Sequence, residues 1–135
     1  MSKDKAQQLG VKPIARIIGY ASSAKKPEWF TTAPADVIPK VLQRIKMKKE
    51  DIDLFEINEA FAVVALAVNK MLRLDLDKVN VNGGAVALGH PIGASGTRIL
   101  VTLLHALKQR QKRRGMAAIC IGGGEAAGMV VELLT

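Results

Sequence analysis

Apolar residues recur along this chain with two different periods, and their alternation predicts an α/β protein. Pro34 is favourable in the first turn of a helix, and the apolar residues after it follow helical spacing: Val37, Ile38, Val41, Leu42 and Ile45. A second amphipathic helix is predicted from Gly96 to Arg110. A short leading helix is predicted from a cap at Ser2 to about Leu9.

A further helical segment, from Ala60 to Leu72, is apolar around nearly its whole circumference. A helix of this composition is typical of positions that are covered on most sides. We therefore expect this helix to be buried more deeply than the others.

Short apolar runs predict five strands, at residues 14–22, 53–57, 79–81, 116–121 and 129–134. Together with the helices they give the order β-α-β-α-β-α-β-β after the leading helix. Such an order predicts a mixed five-stranded sheet, mostly parallel, with helices on its faces. The last two strands are separated only by a glycine turn at residues 122–124, so they should pair in antiparallel orientation.

The composition is that of one globular domain, because 135 residues can bury a core and 49% of them are apolar. The single cysteine, Cys120, excludes an internal disulfide and indicates a reducing compartment. Residues 1–10 contain no apolar signal core, and the longest apolar run, residues 60–68, is too short to span a bilayer. We therefore expect a cytoplasmic protein without a membrane partner.

The net charge of +8 is concentrated in one cluster, residues 108–114. Such a cluster can bind nucleic acid or a phosphorylated ligand, or it can be the solvated end of a helix. No aromatic residue interleaves with the basic ones, as stacking on bases would require, so we expect a helix end and no nucleic-acid partner. The histidines and cysteine lack metal-ligand spacing, and no dinucleotide or Walker motif occurs, so we expect neither a metal nor a cofactor.

Three unusual segments follow predicted strands, where ligands gather in parallel sheets. Asn58 follows the second strand, the glycine-rich segment 83–96 with His90 follows the third, and Cys120 ends the fourth. Each residue also has a structural interpretation, since Asn58 fits a helix N-cap, His90 a turn, and Cys120 an inert apolar strand position. Together they predict an amide, an imidazole and a thiol at one edge of the sheet.

These segments carry a resemblance to a known family. Asn58-Glu59-Ala60-Phe61-Ala62, Gly89-His90-Pro91-Ile92-Gly93-Ala94-Ser95-Gly96 and Cys120-Ile121-Gly122-Gly123-Gly124 resemble the three C-terminal signature blocks of the thiolases. These are the acetyl-CoA acetyltransferases and 3-ketoacyl-CoA thiolases. The resemblance covers about residues 13–134 and implies the second of two similar halves. Residues 12–135 would form the C-terminal domain, and residues 1–11 would be a leading helix and linker from the N-terminal half.

The resemblance also implies roles in acyl transfer, either the condensation of two acetyl-CoA molecules or the thiolysis of a 3-ketoacyl-CoA. His90 resembles the histidine that activates a nucleophilic cysteine and helps to hold the thioester oxygen. Asn58 resembles the asparagine that fixes a water in the same oxyanion hole. Cys120 resembles the acid/base of the acetyl methyl group, and the Gly122 N–H a donor to a second oxyanion hole. A cysteine acts as a base only with a lowered pKa, so we expect that of Cys120 to be lowered.

The nucleophilic cysteine of the family lies in the other half, and Cys120 is the only cysteine here. We therefore expect no turnover by the isolated chain. The expected partners are coenzyme A thioesters as substrates, an N-terminal half or second chain, and further copies of this chain in a homo-oligomer. The alternative function is that of a non-enzymatic assembly module that retains the fold.

Overall fold

A computed structural model describes residues 1–134 as one mixed sheet with helices on both faces. The elements are α1 (Lys3–Gln8), β1 (Ala15–Ala24), α2 (Pro34–Arg44), β2 (Leu54–Ile57), α3 (Ala62–Leu72), α4 (Ala85–Leu88), α5 (Ser95–Gln109), β3 (Arg114–Cys120) and β4 (Glu125–Leu133). Short 3-10 turns occupy Pro27–Thr32, Lys49–Asp51 and Leu76–Lys78. The predicted α/β class is confirmed.

The strands lie in the order β1-β4-β3-β2. The predicted antiparallel pairing of the last two strands, β3 and β4, is confirmed, and β4 also runs antiparallel to β1. Of the three strand pairings within residues 1–134, only that of β2 and β3 is parallel, with Ile57 opposite Ala118, so the expectation of a mostly parallel sheet is wrong. Because parallel strands end at the same edge, the residues that follow β2 lie beside the carboxyl end of β3.

Each face of the sheet carries its own apolar cluster, because side chains alternate along a strand. Helix α2 covers one face, where Val37 and Val41 lie in an apolar cluster with Met116 and Val130, and α3 packs on α2 and adds Val64 to this cluster. Helix α5 covers the other face through Ile99, Leu103 and Leu107, which meet Leu54, Ala117 and Val131. The two layers fix the sheet edge where the candidate residues lie.

The prediction of a strand at residues 79–81 is wrong. Val79 makes a single bridge to Phe55, and the sheet has four strands within residues 1–134. Asn80 has a φ of +47°, which ends the extended backbone. Its side-chain amide replaces strand pairing: Oδ1 accepts a hydrogen bond from Ile57 N at 2.8 Å, and Nδ2 donates to Ile57 O at 2.9 Å. At the edge of β2, the side chain of Asn80 therefore pairs with Ile57, while its backbone N–H donates to Phe55 O at 2.9 Å.

The expectation that the helix now labelled α3 is covered on most sides is also wrong. Val64 and Val68 are buried, but Val63, Leu66 and Met71 are each more than half exposed. The neighbouring elements of the chain, α2 and the turn at Pro27–Thr32, cover one side of the helix. Within residues 1–134, no helix combines the length and the apolarity needed to cross a bilayer.

Part of the basic cluster at residues 108–114 is used inside the fold. Glu132 is buried in β4 and accepts hydrogen bonds from Arg16 Nη2 at 2.5 Å and Arg114 Nε at 3.0 Å, with Arg113 Nε at 3.1 Å. Burial by itself raises the pKa of Glu132, but these arginines outweigh it and hold that pKa below its usual value. Arg113 and Arg114 therefore neutralise a buried carboxylate.

Candidate active site

Asn58 follows β2 directly and is fully buried. Its backbone N–H donates to Ala118 O of β3 at 2.9 Å, so the parallel ladder continues one residue beyond the strand. Its side-chain Oδ1 accepts a hydrogen bond from Arg98 Nη2 of α5 at 3.2 Å. The N-cap interpretation is wrong, since α3 begins after Phe61. The amide is held between β3 and α5 instead.

A buried ion pair lies beside this amide. Glu56, two residues earlier and on the same face of β2, is 1% exposed, and its Oε2 lies 3.7 Å from Arg98 Nη1. Within residues 1–134, neither carboxylate oxygen of Glu56 has a hydrogen-bond partner, nor do Arg98 Nε, Arg98 Nη1 or Asn58 Nδ2. Such a concentration of buried polar atoms is costly in a core and marks functional sites.

Burial raises the pKa of Glu56 to about 7, an effect that the charge of Arg98 opposes and that of Glu59 strengthens. The unfolded chain releases this proton near pH 4.5 and the folded chain near 7. Glu56 therefore favours folding below pH 4.5, and this contribution is lost as the pH rises through 7.

We expect Glu56→Gln to remove this pH dependence. Between pH 4.5 and 8 the chain with Glu56 should lose about 2–3 kcal/mol more unfolding free energy than the variant, measured by urea titration. The matched control is Glu28→Gln, because Glu28 is an exposed carboxylate. Equal slopes for Glu56→Gln and the unchanged chain would contradict the assigned shift.

His90 lies half-buried just before α5. Its Nδ1 is 2.5 Å from Ser95 Oγ, and that hydroxyl donates to Pro91 O at 3.1 Å. The donor and the acceptor in the contact between Nδ1 and Oγ depend on the tautomer of His90. When the hydroxyl donates to Pro91 O, it accepts from Nδ1–H, and Nε2 is then the nitrogen that can accept a proton. The predicted position near a helix N-terminus is confirmed.

The loop before His90 is held by Glu59. One carboxylate oxygen of Glu59 accepts from Val86 N of α4 at 3.0 Å, and the other accepts from Asn80 Nδ2 at 3.3 Å. A Cβ at Gly84 would lie 2.5 Å from Glu59 Oε2, so glycine is required there for the carboxylate to reach the backbone. The short helix α4 was not anticipated, because four residues are too few to show a helical period.

Cys120 ends β3 and is 6% exposed, with its side chain in the apolar cluster under α2 and α3. Burial raises the pKa of its thiol above the usual value. The expected lowered pKa is therefore wrong for this chain by itself, because within residues 1–134 no cation outweighs the burial of the thiol. Gly122 lies exposed in the following turn, which is closed by hydrogen bonds from Ile121 N to Glu125 O at 2.8 Å and from Gly124 N to Ile121 O at 3.0 Å.

The contacts connect two of the three predicted side chains through one helix. Ser95 and Arg98 lie one turn apart on α5 and bind His90 and Asn58. Cys120 reaches the same edge through β3, whose Ala118 pairs with the backbone of Asn58, but its thiol lies on the opposite face of the sheet. Sequence reasoning missed Glu56 and Arg98, although a carboxylate inside the apolar run Leu54–Ile57 is a signal that could have found them.

Comparison with known proteins gives a consistent result. The family model described as the thiolase C-terminal domain matches residues 11–133. A probable acetyl-CoA acetyltransferase of Dictyostelium discoideum is 57% identical over 134 residues, which are 99% of this chain and 32% of that protein.

Two crystal structures show the same similarity. The acetyl-CoA acetyltransferase of Bacillus anthracis has a TM-score of 0.96 at 48% identity, over 99% of this chain and 34% of that one. A thiolase of Ascaris suum in complex with coenzyme A has a TM-score of 0.92 at 50% identity, over 98% and 34% respectively. The chain thus spans about a third of the length of the proteins that it matches.

Proposed function

The chain belongs to the thiolase family as a C-terminal domain, and from this premise we propose that it supplies one half of an acyl-transfer site for coenzyme A thioesters. The reaction is the reversible condensation of two acetyl-CoA molecules or the thiolysis of a 3-ketoacyl-CoA. The observation that carries the proposal is the linkage of His90 and Asn58 through α5 at the sheet edge where β3 delivers Cys120.

The proposed roles follow from the donors and acceptors at this edge. His90 Nε2 takes the proton of a cysteine supplied by the other half, and the resulting thiolate bonds to the acyl carbon. The bond from that carbon to the coenzyme A sulfur breaks, and coenzyme A leaves as a thiol with the proton that His90 returns. The Asn58 NH₂ group is buried without a partner within residues 1–134, so it can hold a water that donates to the thioester oxygen. Preorganised donors of this kind contribute about 3–4 kcal/mol each to a developing oxyanion.

Cys120 moves the proton of the acetyl methyl group in this scheme. The carbon–hydrogen bond breaks toward the thiolate, and the electron pair passes to the thioester oxygen near the exposed Gly122 N–H. The raised pKa of Cys120 means that the thiolate must be stabilised by groups from the other half or from the substrate. We therefore propose that the chain is inactive alone for two reasons, a missing nucleophile and a missing environment for its base.

A groove beside α5 is a candidate binding surface for the other half. It encloses about 340 Å³ and is lined on the sheet side by small or exposed residues, among them Tyr20, Ala117, Ala127 and Gly128, and on the helix side by Thr97 and Leu100. Small residues let the backbones of packed elements approach closely. Exposed apolar residues also occur on β1 and in the segment around His90: Ile17, Val86, Leu88 and Ile92. We propose that an N-terminal thiolase half covers this surface.

The proposal can be tested in a hybrid protein, here called the two-half enzyme. In this hybrid the chain replaces the C-terminal third of the Dictyostelium discoideum relative, to which it is 57% identical. The measurement is the thiolysis of acetoacetyl-CoA by coenzyme A. We expect turnover within about tenfold of the parent enzyme, and none from this chain or the N-terminal two thirds alone. A folded hybrid that binds coenzyme A without turnover would support the non-enzymatic assembly module instead.

A further inference from the structure

Within residues 1–134, the carboxamide of Asn58 has one side-chain hydrogen-bond partner, which holds it in one orientation. Arg98 Nη2 lies 3.2 Å from Asn58 Oδ1. A guanidinium group has donors and no acceptor and stays protonated, so the amide atom that faces it must be the oxygen. The NH₂ group therefore points away from α5, and it is buried without a partner within residues 1–134.

Arg98 is itself oriented by a buried charge. Its side chain is 19% exposed, and Oε2 of the buried Glu56 lies 3.7 Å from Nη1. Glu56 and Asn58 project from the same face of one strand, so a single arginine can bridge both. Glu56 lies beside one terminal nitrogen of the guanidinium group, and the other terminal nitrogen donates the hydrogen bond that orients the Asn58 amide.

We infer that Arg98, anchored by Glu56, is a positioning residue that locks the Asn58 carboxamide so that its NH₂ group is presented as a donor in the acyl-transfer site. This inference rests on the proposed function for its catalytic consequence. The orientation of the amide is a property of the chain itself and can be measured without turnover.

A double-mutant cycle in the two-half enzyme separates positioning from a merely structural role. We expect Arg98→Met to lower kcat by about tenfold to 100-fold with KM unchanged, because an unheld amide turns its oxygen toward the site for part of the time. When Asn58→Ala is already present, Arg98→Met should cost no more than about twofold. Equal losses in both backgrounds would overturn the inference.

Two conservative variants sharpen the cycle. Arg98→Lys keeps a positive donor beside Glu56, so it should recover part of the activity that Arg98→Met loses. Asn58→Asp keeps the acceptor for Arg98 but removes the NH₂ donor, so it should lose at least as much kcat as Asn58→Ala. The matched control is Arg110→Met, since Arg110 ends the same helix and donates to Val81 O. It should leave kcat unchanged.

A second experiment measures the orientation of the Asn58 amide and does not require enzymatic turnover. The chain has four asparagines, so selective ¹⁵N labelling gives four side-chain NH₂ signals: Asn58, Asn69, Asn80 and Asn82. We expect a single sharp Asn58 pair in the unchanged chain and a broadened or doubled pair in Arg98→Met. An Asn58 pair that Arg98→Met leaves sharp and unshifted would overturn the inference. An inactive hybrid whose unchanged chain shows the locked amide would defeat the proposed function alone.

Discussion

Replacing His90 with alanine in the two-half enzyme is expected to lower kcat/KM for acetoacetyl-CoA thiolysis by about 1,000-fold. A positioned general base contributes about 10²–10⁴-fold, and a lost oxyanion donor costs about 10²–10³-fold. In the proposed scheme His90 first takes the proton of the cysteine and then helps to hold the thioester oxygen, while Ser95 holds the imidazole ring through Nδ1.

The chain contains its own control for this substitution. His105 is the other histidine and lies on the exposed side of α5, so His105→Ala should leave kcat/KM within about twofold. Because His90 is half-buried in a loop, urea titration of both variants shows whether the loss comes from the site or from unfolding. Losses of equal size for the two histidines would contradict the role given to His90.

Gly124→Ala is expected to lower the unfolding free energy of the chain by about 3 kcal/mol or more. Gly124 has a φ of +105°, which side chains rarely adopt, and a Cβ there would overlap the carbonyl oxygen of Lys25. That carbonyl belongs to the backbone at the end of β1, where Lys25 N also donates to Gly124 O at 3.0 Å. Neither group can move without separating β1 from β4.

Gly122→Ala is the matched control for this substitution. Gly122 lies in the same glycine triplet, and a Cβ there would meet open space. We expect a change of less than about 0.5 kcal/mol in urea titration, with the Gly122 N–H retained. If both alanine variants unfold at the same urea concentration, the turn does not depend on Gly124 as the geometry requires.

Helix α2 shows what the sequence determines by itself. The helix is amphipathic and begins at Pro34. Val37 and Val41 are fully buried, as their spacing predicts. Strand β3 could also be predicted from its local sequence, because a short apolar run between a basic helix end and a glycine turn is typical of a buried strand. These elements are specified locally, and their partners lie within the chain.

The predictions that the structure contradicts concern features that depend on tertiary contacts. The apolar composition of α3 does not indicate which side of the helix is covered by other elements of this chain. Leu66 remains 68% exposed. The run at residues 79–81 has strand composition, but the side chain of Asn80 pairs with Ile57 in place of a backbone. Arg98 falls on the polar face of α5 in the sequence, so only the fold shows that it meets Glu56 and Asn58.

Exchange of the methyl protons of acetyl-CoA in deuterated water most directly tests the claim that this chain supplies the base of an acyl-transfer site. In the two-half enzyme, mass spectrometry should show deuterium entering the methyl group. Cys120→Ala should abolish this exchange while acylation of the cysteine in the other half continues, because activation of that cysteine depends on His90. Exchange at the unchanged rate in Cys120→Ala would contradict the account.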